Sequence, residues 1–412
     1  MKTTITLIAS SIVFVAFATA FGHILDEVPL IDGHNDLAYN LYDLVQNNLT
    51  NFHFENDLSQ DEVWGTKNCN SCFTDLPRLR KGKVAAQFWA AYVSCDTQYK
   101  DALEKTVEQI DVIKRLVKKY PKDLIFATSA LEIKNAFIKK RIASLIGVEG
   151  GHSVDSRLAA LRMFYDLGVR YMTLTHTCNT PWADNSYVDD SNPVHNLTEF
   201  GKLVVKEMNR LGMMVDLSHV SYGVMNQAIE ASRAPVIFSH SGSYDVRAHN
   251  RNVHKDTLLL LKENQGIVMV NFYPGFISST PNNASIADVA AHINKIVDIA
   301  GIESVGIGGD YDGVTKAPKG LEDVSKYPDL FDFLESQNST RWTKEALGML
   351  AGNNFLRVFK AVENVRDNLI NEEPYQFWIP NDDLNAVNDD LLWTCRTLLN
   401  NTSPQLPQCQ HN

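Results

Sequence analysis

The strongest constraint on the fold is a repeated alternation: a short apolar run ends in polar residues, and a segment with helical spacing follows. The runs are "PLIDGHND" (29–36), "DLIFATS" (123–129), "IASLIGVEGG" (142–151), "VRYMTLTHT" (169–177), "MMVDLSH" (213–219), "PVIFSH" (235–240), "GIVMVNF" (266–272) and "SVGIGGD" (304–310). Residues 102–119, 156–167, 199–211 and 285–300 carry apolar positions at helical spacing. Continuous apolar runs belong to strands covered on both faces, so the sheet is expected to be parallel. Eight such runs predict an α/β fold, a (β/α)8 TIM-like barrel with its chemistry at the C-terminal strand ends. No internal repeat, low-complexity tract or interdomain linker interrupts the series.

The expected strand ends carry His34 and Asp36, Thr128 and Ser129, Glu149, His176, His219, His240, Asn271 and Asp310. A lone histidine at a strand end is ordinarily a satisfied structural residue. Six ends bearing His, Asp or Glu are harder to explain that way, because burying charge without partners costs several kcal/mol. Metal ions remove that cost, which makes this a barrel of the metal-dependent hydrolase type. His34 and Asp36 lie two residues apart and share one face of a strand. His219 and His240 end consecutive strands and could share one ion, while Glu149 is a carboxylate able to bridge two. Imidazole with carboxylate suits zinc, although manganese or cobalt fits similar geometry. Two ions about 3.5–4 Å apart that share a water form a hydrolytic centre.

Charge narrows the partners. Lys and Arg total 38 against 49 Asp and Glu, a formal net charge of −11, which argues against nucleic acid or an anionic membrane. Residues 1–20 read as a signal peptide: Lys2 near the start, an apolar stretch over 5–17, and "ATA" at 18–20. That stretch is too short for a comfortable membrane span. The expected organisation is therefore a leader over 1–20, a barrel domain over 21–390 and a polar tail over 391–412.

Sequons at Asn48, Asn196, Asn283, Asn338, Asn400 and Asn401 fit a secreted glycoprotein. So do six cysteines, an even number that can be oxidised outside the cell. Cys69 and Cys72 have no second Cys-x-x-Cys pair to complete a zinc site, which leaves a local or long-range disulfide. The chain ends "NNTSPQLPQCQHN", without the apolar tail of a lipid-anchor signal, so a soluble extracellular product is expected.

The segments "DGHND" (32–36), "GVEGGHS" (147–153), "LTHTCNTPWADN" (174–185), "DLSHVS" (216–221), "FSHS" (238–241), "RNV" (251–253), "MVNFY" (269–273) and "GGDYDGV" (308–314) closely resemble the membrane (renal) dipeptidase family. They keep the family order and span nearly all of the expected mature chain. The resemblance implies a zinc-dependent metallopeptidase that cleaves dipeptides with free amino and carboxyl termini. It implies two Zn2+ per subunit, one held by His34 and Asp36, the other by His219 and His240, with Glu149 as the bridge. Neighbouring amidohydrolases usually carry His-x-His on the first strand; the His-x-Asp here is the dipeptidase form.

A water shared by two divalent ions is acidified to a hydroxide at neutral pH and attacks the scissile carbonyl. His176 is the candidate oxyanion donor, with a hydrogen-bonding role inside "LTHT" as its plain alternative. Asp310 is assigned proton transfer. Arg251 is assigned the substrate's terminal carboxylate, with a solvated surface arginine as its alternative. His152, Asp32 and Asp312 read as supporting residues.

The resemblance also implies a Cys95–Cys178 disulfide. Cys395 matches a family cysteine that joins two subunits, which predicts a homodimer; an intrachain Cys395–Cys409 bridge competes with it. Three departures stand out. Family cysteines near Arg247 and Ser279 are absent as a pair, Phe276 stands where a tyrosine helps to seat substrate, and "CNSC" has no counterpart. Two rival functions remain: deacetylation or lactone hydrolysis on the same barrel, and a secreted binding protein that has lost activity. The second would be expected to lack a ligand, and all five metal positions are filled.

Overall fold

The computed structural model describes residues 22–65, 67–190 and 195–385. The expected leader over 1–20 and polar tail over 391–412, with Cys395, Cys409, Asn400 and Asn401, lie outside the described residues. Within them the strands are β1 (Leu30–Asn35), β2 (Val84–Tyr92), β3 (Leu124–Phe126), β4 (Ile142–Glu149), β5 (Val169–Thr173), β6 (Met214–Asp216), β7 (Ile237–Ser241), β8 (Ile267–Val270) and β9 (Val305–Ile307). Their pairings are parallel, in the order β2-β1-β9-β8-β7-β6-β5-β4, and β2 also pairs with β4. That contact closes an eight-stranded ring, and helices fill the connections between strands.

One expected stave is replaced by another. The run at 123–129 yields only the three-residue β3, which lies beside the first residues of β4, Ile142 to Ser144. Further along, from Ile146, β4 pairs with β5 instead, so β3 is a spur at the foot of the ring. Thr128 and Ser129 do not end a stave: Ser129 caps the helix Ala130–Ile138 by accepting the Glu132 N–H. The missing stave is β2, "VAAQFWAAY". Its four alanines favour helix and break up the strand-favouring Val84, Phe88, Trp89 and Tyr92, so the run lacks a continuous strand signature. In the ring, small side chains suit a strand buried between β1 and β4; Ala86, Ala90 and Ala91 are fully covered.

The helices follow the expected pattern closely. Ala102–Lys119 and Glu199–Leu211 have the predicted bounds, and Leu158–Asp166 and Ile286–Ala300 fall within the predicted spans. Ser285 and Asp288 form a capping box at the last of these, satisfying two otherwise orphaned backbone donors. Among the described residues, no helix is long and apolar enough to cross a membrane.

Beneath the barrel mouth, Phe88, Leu145, Tyr171 and Met269 form a buried cluster that extends to Phe355 and Phe359 of the helix Asn354–Asn368. Each large apolar side chain buried this way contributes about 1.5–3 kcal/mol. Tyr171 also carries a polar end into this layer. Its hydroxyl donates to Gly33 O at 3.0 Å and meets His34 Nδ1 at 2.9 Å.

The Tyr171 ring lies where a Cβ on Gly147 would sit. Gly147→Ala is therefore expected to overpack the barrel, costing about 1–3 kcal/mol, and to push Tyr171 off His34. Denaturant midpoints and bound-cation content measure the two effects. An unchanged midpoint with unchanged cation content would refute this packing.

Candidate metal centre

The barrel mouth gathers the predicted ligands. Glu149, the last residue of β4, places Oε1 3.0 Å from His219 Nε2 and 3.2 Å from His240 Nε2. The two imidazole nitrogens are 2.9 Å apart. On the other side, His34 Nε2 is 3.5 Å from Glu149 Oε1 and 3.1 Å from Asp36 Oδ2. All five side chains are buried. Among the described residues, His34, Glu149 and His240 form one group of donor atoms close enough to share an ion. Glu149, His176 and His219 form a second, and His34, Asp36 and Asp310 a third.

Local backbone geometry aims these groups. Asp36 follows β1 directly, and His219 lies three residues past β6 with a left-handed φ of 68°. Asp310 is also left-handed, at 60°, on the "GGDYDGV" loop after β9. Such conformations cost free energy in non-glycine residues and cluster at functional sites. Gly313 is needed on that loop, because a Cβ there would collide with the Asp36 and Asp310 carboxylates.

Electrostatics point to a bound cation. Burial pushes His219 and His240 well below the usual histidine range, keeping both neutral. Burial pushes the Glu149 carboxyl up, but His34, His176, His219 and His240 outweigh it and hold it well below the carboxylate range. Burial opposes a charge on His34 as well, yet the Asp36 and Glu149 carboxylates help to raise it well above the normal value. Positive charge is thus drawn to the point where carboxylates and imidazoles meet.

The residues fit metal ions. Tetrahedral zinc with bonds of about 2.0–2.1 Å has ligand edges of about 3.3 Å, close to the Glu149–His219–His240 triangle. In the cation-free protein the two imidazoles 2.9 Å apart share a single hydrogen; with His219 protonated on Nδ1 instead, which is buried without a partner, both Nε2 lone pairs would be open to a cation. Asp36 Oδ1 is buried without a hydrogen-bond partner, and His34 Nε2 faces only the Asp36 and Glu149 carboxylates. Because Tyr171 donates to Gly33, His34 Nδ1–H must donate to Tyr171. That leaves Nε2 as the atom facing the centre.

The remaining predicted residues surround this point. Asp310 accepts from Asn271 Nδ2 at 2.7 Å; burial and the Asp36 and Glu149 charges push its carboxyl up to about 7, against the pull of His34 and Arg251. His176 Nε2 is 4.0 Å from Glu149, and burial lowers its imidazole to about 4, so it is a neutral N–H donor. Arg251 is a buried guanidinium, not a solvated surface arginine. It donates to Ser241 Oγ and His240 O, and its Nε has no partner. Its guanidinium lies 5.2 Å above the ring of Phe276, the residue that stands where a tyrosine was expected to help seat substrate.

The supporting residues have clear tasks. His152 Nε2 bonds the Val93 carbonyl. Asp32 accepts from Gln87, Tyr327 and the Gly309 N–H, tying β1 to β2 and to the loop after β9. Asp312 accepts from Thr74 and the Phe73 N–H. Phe73 directly follows the Cys69–Cys72 disulfide, so "CNSC" is a locally closed turn packed near the mouth. Cys95 and Cys178 are bridged across 83 residues, which contributes about 4–5 kcal/mol by chain entropy. The bridge anchors the loop two residues beyond His176. Of the sequons, Asn48, Asn283 and Asn338 are exposed, and Asn196 is half-buried.

Two contributors escape a reading of strand ends. Tyr171 sits mid-strand and reads as a core aromatic. Tyr92 ends the overlooked β2, opposite Glu149 in register, and its ring lies 4.6 Å from His176. Both would have required knowing which strands are adjacent.

A closed parallel barrel with this donor set at its mouth defines a metal-dependent hydrolase. The profile of the membrane dipeptidase family (peptidase family M19) matches residues 19–373. Dipeptidase 3 of Mus musculus is 45% identical over 365 residues, covering 87% of this chain and 69% of its own. An uncharacterized dipeptidase of Schizosaccharomyces pombe is 42% identical over 367 residues, covering 86% of this chain and 85% of its own. A solved metallopeptidase from Rhodobacter sphaeroides, bound to a phosphinate mimic of L-Ala-D-Ala, has the same fold, with a TM-score of 0.70 at 23% identity. The superposition covers 81% of this chain and 99% of that one. The chain belongs to the membrane dipeptidase family and is a metallo-dipeptidase.

One histidine outside the centre holds the Arg251 loop. His292 Nδ1 accepts from the Ser243 N–H at 2.8 Å, and Nε2 donates to Ile277 O at 3.0 Å, so only the neutral ring fits. Burial lowers its pKa to about 4. Its contribution is fully present above the unfolded value of about 6.5 and is lost as pH falls toward 4, on the order of 3 kcal/mol in total. Denaturant midpoints at pH 7 and 4.5 should show a shallower acid dependence in His292→Gln than in wild type. Equal slopes would remove this assignment.

Proposed function

We propose that the protein is a zinc-dependent dipeptidase hydrolysing dipeptides with free amino and carboxyl termini at a two-zinc centre. The observation that carries this reading is Glu149 Oε1, within 3.5 Å of His34, His219 and His240 Nε2. A carboxylate so placed can serve two cation sites at once. His34 and Asp36 would hold one ion, and His219 and His240 the other. Bound there, the pair supplies Lewis acidity and an activated water.

The chain's own groups then divide the work. Arg251, whose buried Nε has no hydrogen-bond partner, receives the substrate's terminal carboxylate, because a buried guanidinium with an unused N–H favours a planar anion. His176 stays neutral and offers its N–H to the oxyanion that forms at the scissile carbonyl. Asp310 has a pKa near 7 in the cation-free protein, and a nearby cation lowers it. Asn271 fixes one Asp310 oxygen, leaving the other to take the proton from the attacking water and pass it to the leaving amine.

The same reading places the protein outside the cell, with residues 1–20 as an export leader, 21–390 as the catalytic domain and 391–412 as a tail. The Cys95–Cys178 disulfide and the exposed sequons support secretion. A homodimer linked through Cys395 would run as a dimer on non-reducing electrophoresis; a monomer band would remove the covalent link.

Two further outcomes test the centre. His219→Ala and His240→Ala are each expected to lose bound zinc and dipeptide hydrolysis, as is wild type treated with chelator; full activity in any of the three would eliminate the metal centre. Asp310→Asn is expected to keep zinc while turnover of a dipeptide panel falls about 10²–10⁴-fold. Loss of zinc would instead make Asp310 a ligand.

A further inference from the structure

We propose that Asp216, acting through Ser239, is a positioning residue that fixes the His240 tautomer and so presents its Nε2 lone pair to the cation. This inference rests on the metal-centre reading and adds residues that the reading does not use.

The argument is a count of hydrogens. Asp216 ends β6 and is fully buried. Oδ1 accepts from the Ser218 N–H at 3.1 Å and the Ser239 N–H at 2.8 Å. Oδ2 accepts from Thr173 Oγ1 and Ser239 Oγ, each at 2.6 Å. Four donors converge on this carboxylate, so it acts only as an acceptor. Ser239 has a single hydroxyl hydrogen, and Asp216 takes it. Ser239 Oγ also lies 2.8 Å from His240 Nδ1, and with its hydrogen committed it can only accept there. His240 must therefore carry its proton on Nδ1. The lone pair falls on Nε2, the atom facing Glu149 and His219.

The two halves of the centre are thus oriented by different devices. His34 is held by Tyr171, which passes its hydrogen to a carbonyl; His240 is held by Ser239, which passes its hydrogen to a carboxylate. Groups behind a metal-bound histidine fix its ring and raise its basicity, and their loss typically costs about 10–100-fold in metal affinity. Asp216→Asn would run the relay backwards. The amide N–H would replace Oδ2 and donate to Ser239, whose hydrogen would turn toward His240 Nδ1 and drive the histidine proton onto Nε2. The backbone donors at Oδ1 disfavour the flipped amide.

The test uses zinc as the probe. Chelator competition should show Ser239→Ala and Asp216→Asn binding zinc about 10–100-fold more weakly than wild type, while Ser239→Thr, which keeps the hydroxyl, stays near wild type. Thermal melting of the zinc-free proteins separates a folding role. Lower melting points with unchanged zinc affinity of the folded fraction would overturn the proposal. The ¹⁵N spectrum of histidine-labelled, zinc-loaded wild type tests the tautomer without any dependence on variant folding. Protonated Nδ1 with zinc-bound Nε2 at His240, assigned through His240→Asn, supports the relay, and the reverse pattern overturns it. Wild-type protein that takes up no zinc overturns the metal-centre reading itself, an outcome distinct from zinc uptake unaffected by Ser239→Ala.

Discussion

Glu149 Oε1 lies 3.0, 3.2 and 3.5 Å from three imidazole nitrogens carried by the turn after β6, by β7 and by β1. A carboxylate buried to this depth is stable only if positive charge meets it, and the surrounding histidines supply lone pairs as readily as protons. Cations at this point satisfy the carboxylates and imidazoles together. The mouth is built around this requirement: two left-handed aspartates, Asp310 and Asp312, on the loop after β9, a left-handed His219, and a glycine at 313 that leaves room for Asp36. Strain of this kind persists only where the surroundings over-determine it.

The ring of ligands is supported from below by residues with no direct part in the chemistry. Asp32 ties β1 to β2 and to the loop after β9. Tyr171 links β5 to the Gly33 carbonyl and to His34, while Asp216 links β5, β6 and β7 through Thr173 and Ser239. Each of these polar groups is buried and satisfied, so neighbouring strands are locked in register where small shifts would spoil ligand geometry. Outside this layer, the Cys95–Cys178 bridge and His292 hold the two loops that carry His176 and Arg251. These loops have fewer constraints than the strands, and cross-links compensate.

Much of this was legible in the chain. Seven of the eight staves are continuous apolar runs, and their ends carry His34, Asp36, Glu149, His176, His219, His240 and Asp310. The exception is instructive. β2 escaped because its alanines carry a helical preference, and the burial that overrides it exists only once β1 and β4 flank the strand. The run at 123–129 has ordinary strand chemistry, yet it pairs with β4 over only three residues, because β5 takes the rest of that edge. With Tyr92 in place of Thr128 and Ser129, every stave of the ring brings a polar or aromatic residue to the mouth.

The sequence by itself determined the parallel barrel and the positions of the candidate ligand side chains along their strands. Those follow from local periodicity and from the two-residue repeat of a strand. Tertiary structure alone decided which donors meet and which proton sits where. Arg251 became a buried cation over Phe276 only when the loop after β7 folded against β7 and Phe276. The His34 and His240 tautomers were fixed only when Tyr171 and Asp216, distant in sequence, came within hydrogen-bond reach. Proton placement depends on contacts between strands, and strand neighbours are set by ring closure, which no local stretch of residues encodes.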